Sequence, residues 1–397
     1  MTEEMNVPKL RFSEFEGFWS RKSISEVATK VTDGTHDTPK PTSSGVPYVT
    51  AIHVKDGFID FDNCYYVSTE VHEVIYKRCN PEKGDLLIVN IGAGTATCAI
   101  NTVEYEFSMK NVALVKPDRD IAEPYFLEQV QRKETAKLFH KLTSGGAQPF
   151  FSLKEIKKLT HYYPALPEQQ KIASFLSKVD EKIALLTEKK DKLTEYKKGV
   201  MQQLFNGKWE VQDGQLTFIP PTLRFKADDG SEFPDWEEKK LGEVLTIGNG
   251  RDYKHLSDGD IPVFGTGGYM TSVDGYLYDG ETVFIGRKGT INKPYMFNGK
   301  FWTVDTLFYT KEFKGILPKF VYAIFQKINW SLYNEATGVP SLSKSTINKI
   351  KLNLPSLSEQ EKITDFISSL DQKVDLINEE LEKAKEWKRG LLQQMFV

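Results

Sequence analysis

The sequence contains few of the residues that mark a disulfide-bonded or metal-binding protein. Only three of its 397 residues are cysteine, at Cys64, Cys79 and Cys98, and no CxxC pair occurs. We considered zinc binding by Cys64 and Cys79 together with His53 and His72, but this spacing matches no common zinc site. We therefore interpret the three cysteines as ordinary thiols of a reducing compartment.

Long apolar runs and an excess of charge of one sign are also missing. The N-terminal segment, residues 1–12, lacks an apolar signal core, and no stretch approaches the length of a membrane span. We expect a soluble, cytoplasmic protein with no membrane partner. The 52 basic and 55 acidic residues give a formal net charge of −3. Any nucleic-acid surface must therefore come from local basic loops.

Motifs for self-contained chemistry are absent as well. Gly92-Ala93-Gly94 is followed by Thr97 where a dinucleotide fingerprint needs its third glycine, and residues 338–345 (GVPSLSKS) fail as a phosphate loop. There is no Asp/Asn-Pro-Pro-aromatic motif of the kind that amino-methyltransferases use, and no HExxH or GxSxG. We predict that the chain is not an enzyme by itself and binds no cofactor or metal directly.

What the chain does contain is an internal repeat. Residues 166–205 reappear as residues 357–396 at a constant offset of 191, with 18 of 40 positions identical. A shorter matching segment precedes each copy: Leu10-Arg11-Phe12 recurs as Leu223-Arg224-Phe225. A repeat of this kind indicates two similar units in one chain. Composition agrees, since 40% apolar and 12% aromatic residues suffice for more than one core.

Both copies of the repeat carry a heptad pattern over more than four heptads, which predicts two long helices that form a coiled coil. Connectivity favours an antiparallel pair with an approximate two-fold axis, because the end of the first helix leads into the second globular segment. We divide the chain into a first globular domain (1–165), a central helix (166–207), a second globular domain (208–356) and a C-terminal helix (357–397). A helix pair that only oligomerises is the simpler alternative.

Each globular segment mixes strand and helix signals. Strands are predicted at Val46–His53, Gly84–Gly92, Ile261–Phe264 and Glu281–Gly286, and one main helix per segment at Pro124–Leu142 and Pro318–Asn334. The fold class is therefore α+β, with two similar domains separated by long helices.

Loops at corresponding positions of the two domains carry polar, basic and aromatic residues of the kinds that DNA-binding proteins use. Arginine reads guanine, lysine and backbone N–H groups hold phosphate, and glutamine reads adenine. A solvated loop is the ordinary interpretation of any one such residue, but matching loops in two repeats favour the group. The candidate residues are Thr35, His36, Lys40, Asn90, Gly92, Thr95 and Gln148 in the first domain, and Arg251, Tyr253, Lys254, His255, Arg287 and Lys288 in the second.

The start of each predicted long helix resembles a known family. Residues 164–172 (PALPEQQKI) and 355–363 (PSLSEQEKI) are similar to the P-x-L-x-E-Q-x-K-I element that opens each conserved helix in specificity subunits of type I restriction–modification enzymes. In that family two variable target recognition domains alternate with two conserved helices. The resemblance covers essentially the whole chain, although the recognition domains match by position only.

The resemblance implies a non-catalytic reader of double-stranded DNA with a bipartite, asymmetric site. It implies two adenine-N6 methyltransferase subunits, which use S-adenosylmethionine, and up to two restriction subunits, which use ATP and Mg²⁺. Phe175, Tyr196, Phe366 and Trp387 lie at matching positions of the two helices, and either dock these partners or pack within the chain. The alternatives are a structural coiled-coil scaffold and a self-contained DNA-modifying enzyme.

Overall fold

The structure, a computed structural model, describes residues 6–92, 94–143, 150–212 and 215–397. Its contacts divide the chain into two compact units. Unit 1 comprises Met1–Glu188 and Asn378–Val397, and unit 2 comprises Lys189–Ile377. The divisions fall inside the two long helices, so each unit contains part of each helix.

Unit 1 is built around a four-stranded antiparallel sheet of order β2-β10-β7-β8 and a three-stranded sheet of order β6-β3-β9, in which β3 and β9 are parallel. The strands are β1 Ser20–Ser23, β2 Ala28–Asp33, β3 Val46–Thr50, β4 Val54–Lys55, β5 Phe58–Ile59, β6 Tyr65–Val67, β7 Leu86–Val89, β8 Cys98–Ile100, β9 Ser108–Lys110, β10 Val112–Pro117 and β11 Thr160–Tyr163. The helices are α1 Ile24–Val27, α2 Thr69–Cys79, α3 Pro124–Thr143, α4 Leu153–Lys158 and the long α5 Leu166–Phe205.

The core of unit 1 lies between the four-stranded sheet and the helices. Leu86 and Ile88 of β7 are fully buried against Phe126 and Leu127 of α3, and Trp19 belongs to the same cluster. Local sequence sets the helix starts. Ser68 accepts a hydrogen bond from Val71 N at the start of α2, and Ser152 caps α4 in a capping box with Glu155.

Unit 2 contains a six-stranded sheet of order β15-β20-β18-β19-β16-β17, in which β16 and β19 are parallel. Its strands are β12 Lys208–Gln212, β13 Gln215–Ile219, β14 Glu237–Lys240, β15 Thr246–Asn249, β16 Asp258–Gly265, β17 Gly268–Val273, β18 Tyr278–Gly286, β19 Tyr295–Thr303, β20 Leu307–Lys311 and β21 Lys351–Leu354. Its helices are α6 Leu241–Val244, α7 Pro318–Lys327, α8 Lys344–Asn348 and the long α9 Leu357–Met395.

The α+β fold class is confirmed, but the main helix of unit 2 is shorter than predicted. Helix α7 ends at Lys327, and a 3₁₀ turn at Trp330–Tyr333 follows it. The indole of Trp330 is buried edge-on against Phe325 and donates to the carbonyl of Phe325 at 2.8 Å. Burying this large side chain turns the chain away from the helical path that its periodicity predicted.

The two long helices pair antiparallel in each unit. In unit 1, Lys388 Nζ of α9 lies 2.5 Å from Asp180 Oδ1 of α5. In unit 2, Lys197 of α5 pairs with Asp371 of α9. The start of α5 therefore lies beside the end of α9, and the end of α5 beside the start of α9. The heptad pattern of the sequence predicts seam residues that are half-buried at Ile183, Leu193 and Val374. The other seam residues are buried: Ile172, Leu176, Val179, Leu186, Val200 and Leu204 in α5, and Ile363, Ile367, Leu370, Ile377, Leu381, Ala384, Leu391 and Met395 in α9.

Candidate nucleic-acid interface

In unit 1 the loop after strand β2 is held by a buried carboxylate. Asp33 accepts hydrogen bonds from Arg78 and, at 2.9 Å, from His36 Nε2. Thr35 forms a bridge with Lys110, and its N–H donates to the carbonyl of Met109 at 2.9 Å. His36 is exposed on this anchored loop, as is Lys40 further along. The loop therefore presents an imidazole and an ammonium group from a rigid base.

The second candidate loop of unit 1 adjoins the first, but two of its predicted contact residues are buried. Asn90 and Thr95 are almost completely inaccessible. Thr95 Oγ1 donates to the carbonyl of Gly92 at 2.6 Å, and Gly92 has φ +103°, a conformation that glycine adopts without strain. The prediction that Asn90 and Thr95 contact DNA directly is therefore corrected: burial makes them supports for the loop.

Asn111 connects the two loops of unit 1, and sequence reasoning missed it. Its carbonyl accepts from the N–H of Asn90 at 3.3 Å, its N–H donates to the carbonyl of Thr35 at 3.3 Å, and its amide lies 3.4 Å from His36 Nδ1. Asn111 has φ 54°, which asparagine tolerates better than most residues. Asn111 lies between strands β9 and β10, neither of which was predicted, so the sequence analysis had no signal for it. The candidate Gln148 lies outside the described residues.

In unit 2 a single connector holds both predicted loops. The N–H of Arg251 donates to the carbonyl of Thr303 at 2.8 Å, and the N–H of Arg287 donates to the carbonyl of Thr306 at 2.8 Å. The backbone at Gly250 packs directly on the connector, since a Cβ added to Gly250 would lie 1.9 Å from the carbonyl oxygen of Val304. The structure therefore brings both the Arg251 loop and the Arg287 loop into contact with the connector between β19 and β20.

The candidate side chains of the Arg251 and Arg287 loops, which together form the basic cluster of unit 2, differ in their exposure to solvent. Arg251, Lys254, His255 and Lys288 are exposed, which leaves their polar groups free to meet a ligand. Tyr253 is half-buried beside Val263 and Trp302. Arg287 is half-buried as well, since its guanidinium lies 5.8 Å from the Phe308 ring centroid and donates to the carbonyl of Asp305 at 3.3 Å. The cluster carries four basic side chains, in addition to His255.

A third loop of unit 2, residues 334–341, also reaches this cluster and was not predicted. Ser341 forms a bridge with Lys288, and the N–H of Gly289 donates to the carbonyl of Pro340 at 2.8 Å. The sequence did carry a signal, because residues 334–341 follow residues 143–150 at the repeat offset of 191. In unit 1 the corresponding residue Phe150 forms a bridge with Ile91.

The aromatic residues proposed for partner docking fall into two groups. Phe175 packs edge-to-face on Phe12, with ring centroids 5.8 Å apart, and Phe366 lies 5.7 Å from Phe225. These two residues therefore pack on the N-terminal stretches of the domains at 1–165 and 208–356, and Phe175 also meets the Trp387 ring edge-to-face at 6.0 Å. Tyr196 is 54% exposed and Trp387 is 51% exposed. Docking stays a prediction, and these two are its better candidates.

The glutamate and glutamine that open each long helix are buried and occupied by the chain itself. Gln169 Nε2 donates to the carbonyls of Ile121 and Pro164, both at 2.9 Å, and its Oε1 accepts from the N–H of Glu123 at 3.0 Å. Gln360 makes the equivalent three contacts in unit 2, with Gly315, Pro355 and Leu317. These two glutamines therefore join each domain to its helix, and their amide groups are bonded within the chain.

In the part of the chain that the structure describes, no group of three or more His, Cys, Asp or Glu side chains is placed to hold a metal ion. None of the helices in the described ranges combines the length and apolar composition needed to cross a membrane.

Comparison with known proteins identifies the family. The sequence profile described as "Type I restriction modification DNA specificity domain" matches residues 17–195 and 234–386. The chain belongs to this family. The type I restriction enzyme MjaVIII specificity subunit of Methanocaldococcus jannaschii is 21% identical over 87% of this chain and 84% of that relative. A second protein of that organism, provisionally named the MjaX specificity subunit, is 22% identical over 98% of this chain and 95% of the relative.

Solved structures agree on the fold. The crystal structure of a type I restriction–modification S subunit from M. genitalium covers 98% of this chain and 99% of its own, with 17% identity and a TM-score of 0.63. A structure described as the basis of complex assembly and conformational transition of the type I R-M system covers 95% of this chain and 97% of its own. Its identity is 16% and its TM-score 0.53. This specificity subunit therefore shares the family's two-domain α+β architecture.

Proposed function

We propose that this specificity subunit reads a bipartite, asymmetric site on double-stranded DNA, with one half-site for each unit. The observation that carries the proposal is the pair of loop clusters. Both units present corresponding loops on corresponding strands, yet their side chains differ. Unit 1 presents His36 and Lys40, whereas unit 2 presents Arg251 and Lys288. Two unlike reading surfaces require two unlike half-sites.

The chemistry of the clusters suits the DNA major groove. Exposed arginine can bind the O6 and N7 acceptors of guanine, and lysine and backbone N–H groups bind phosphate oxygens. These groups extend from loops anchored by backbone hydrogen bonds, which lowers the entropic cost of ordering the loops when DNA binds. The overall charge of −3 limits non-specific attraction, so the local clusters must supply the affinity.

We further infer that the chain is non-catalytic and positions partner subunits in the cytoplasm. These are two adenine-N6 methyltransferase subunits, which use S-adenosylmethionine, and up to two restriction subunits, which use ATP and Mg²⁺. Support comes from Tyr196 and Trp387, which are half-exposed at equivalent positions of the repeat. Large aromatic side chains of this kind anchor protein interfaces. The relative in the assembly structure belongs to a type I R-M system.

The test is to express the chain alone and together with a type I methyltransferase subunit, and to sequence the host methylome. The expected result is a split motif in the combination only, with two dissimilar halves around an unread gap and one modified adenine in each half, on opposite strands. Methylation by the chain alone would identify a self-contained enzyme. If the combination shows no methylation and no DNA binding, the chain is a structural scaffold.

Partner docking has its own experiment. Tyr196→Asp and Trp387→Asp in one chain should lower the stoichiometry from two methyltransferase subunits towards none in native mass spectrometry. A charge is costly at an apolar contact, whereas it is tolerated at a free surface. Phe18→Asp is the matched control, because Phe18 is also an exposed aromatic residue but lies outside the helices. Unchanged stoichiometry in the double variant would rule the docking surface out.

A further inference from the structure

The loop at residues 334–341 in unit 2 is rigid because one side chain closes it. Asn334 Oδ1 accepts from the N–H groups of Ala336 at 3.1 Å and of Ser341 at 2.9 Å, and Asn334 Nδ2 donates to the carbonyl of Ala336 at 2.8 Å. The N–H of Glu335 donates to the carbonyl of Ser341 at 2.9 Å. Both ends of the loop are therefore fixed by hydrogen bonds.

The same loop is fastened to the basic cluster. Ser341 forms a bridge with Lys288, the N–H of Gly289 donates to Pro340, and the N–H of Leu342 donates to the carbonyl of Arg287 at 2.8 Å. These contacts leave the tip of the loop, residues 337–340, exposed beside Lys288. Val339 is 66% exposed there, so an apolar side chain is held among groups suited to DNA.

An apolar side chain has one specific partner in the major groove. Among the base edges in the major groove, the 5-methyl group of thymine is the one methyl group, and apart from the smaller C5–H of cytosine the other groups presented are donors or acceptors. We propose that Val339 reads the 5-methyl group of a thymine in the half-site bound by unit 2. This rests on the proposed function and assigns a specificity residue within it.

The repeat gives this assignment a counterpart. At the offset of 191, Val339 corresponds to Gln148 and Pro340 to Pro149, although 148 and 149 lie outside the described residues. Glutamine suits adenine, whereas valine suits the thymine methyl group. The same loop position therefore carries different base chemistry in the two units, which is what an asymmetric site requires.

Deoxyuridine provides the test, because it lacks the 5-methyl group and otherwise pairs like thymidine. The full chain, in complex with its methyltransferase subunit, is titrated with duplexes in which each thymine of the unit 2 half-site is replaced in turn. One replacement should weaken binding by the wild type about fourfold, the value for one apolar methyl group removed from contact. Val339→Ala should bind the thymine duplex about as weakly, and should no longer distinguish the two duplexes.

Val74→Ala is the control, since Val74 is a 72% exposed valine on α2 of unit 1. It should keep the wild-type response to deoxyuridine. If no deoxyuridine weakens wild-type binding, or if Val339→Ala responds as strongly as the wild type, the assignment is wrong although specific binding persists. A unit 2 half-site without any A·T pair would overturn it as well. Loss of all sequence preference in the wild type would instead contradict the proposed function.

Discussion

The guanidinium of Arg11 donates two hydrogen bonds to the carboxylate of Glu168, Nε to Oε1 at 2.8 Å and Nη2 to Oε2 at 2.7 Å. Arg224 and Glu359 repeat this pair in unit 2 at 2.9 and 2.7 Å. Each arginine also donates to backbone carbonyls of the segment that leads into its domain. The glutamate of the family motif therefore joins this segment to the first turn of the long helix.

Removing one partner of this pair should destabilise unit 1 strongly. Glu168 is almost fully buried, so Arg11→Met leaves an uncompensated carboxylate, at a cost of about 3 kcal/mol. Arg11→Met with Glu168→Gln should cost less than the single change, because no charge is then left buried. The measurement is urea unfolding, with hydrogen exchange of residues 6–188 to assign the effect to unit 1.

An exposed pair between the same two segments gives the control. Lys171 Nζ lies 3.3 Å from Glu14 Oε1, with both side chains about half exposed. Lys171→Ala should cost less than about 1 kcal/mol, because water screens such pairs. Equal losses for Arg11→Met and Lys171→Ala would show that the buried pair is not what holds the segment.

Stability of unit 1 should also depend on pH through Glu128. Burial raises the pKa of Glu128 to about 7, against the partly opposing charge of Arg132. Because the pKa of Glu128 is higher in the folded protein than in the unfolded chain, the stability that this carboxyl contributes is complete below about pH 4.5. That stability is lost as the pH rises to about 7. Between pH 5 and 8 the unfolding free energy of the wild type should fall by about 2–3 kcal/mol relative to Glu128→Gln.

Comparison with Glu128→Gln at each pH isolates this carboxyl from other groups. His161 acts in the opposite direction, because burial lowers its pKa to about 4 and stability is lost as pH falls from about 6.5 towards 4. The pH dependence due to His161 should be the same in the wild type and in Glu128→Gln. A difference between wild type and variant that stays constant from pH 5 to 8 would show that Glu128 does not titrate in this window.

The sequence predicted the parts of the molecule that depend on local pattern. Most of the heptad residues of both long helices are buried as their spacing required, and Pro124 and Pro318 begin α3 and α7. Burial within loops was not predictable in this way. Asn90 and Thr95 follow a strand in a glycine-containing segment, as surface residues often do, yet contacts from distant parts of the chain cover them.

Long-range contacts also decide which loops form the candidate site. The bridge from Lys288 to Ser341 spans 53 positions, and no periodicity indicates such a contact. The charged groups around the buried Glu128 likewise come from separate elements, with Arg132 Nε 2.7 Å from Asp56 Oδ1 and its Nη1 3.6 Å from Asp180 Oδ2. Comparing the two copies of the repeat was the one route by which the 334–341 loop could have been predicted.

Lys288 should contribute affinity more than sequence preference. Its side chain is exposed beside the Arg287 loop, where an ammonium group suits phosphate. Lys288→Ala should weaken binding to all sequences by a similar factor and reduce the slope of log affinity against log salt by about one. Fluorescence anisotropy over a salt series measures both. Lys239→Ala, at a half-exposed lysine of β14, is the control and should leave the slope unchanged.

The last prediction concerns the spacing of the two half-sites. Helices α5 and α9 both run through the two units, and each unit holds one Asp–Lys pair between them. Seven residues inserted after Leu186 and seven more after Ile377 lengthen both helices by about 10 Å and keep the heptad phase. If these helices set the separation, methylome sequencing should find the same half-sites with a gap up to about three base pairs longer. Insertion into α5 alone should instead shift the helix pair out of register and lower stability. An active double-insertion protein with an unchanged gap would show that the helices are not the spacer.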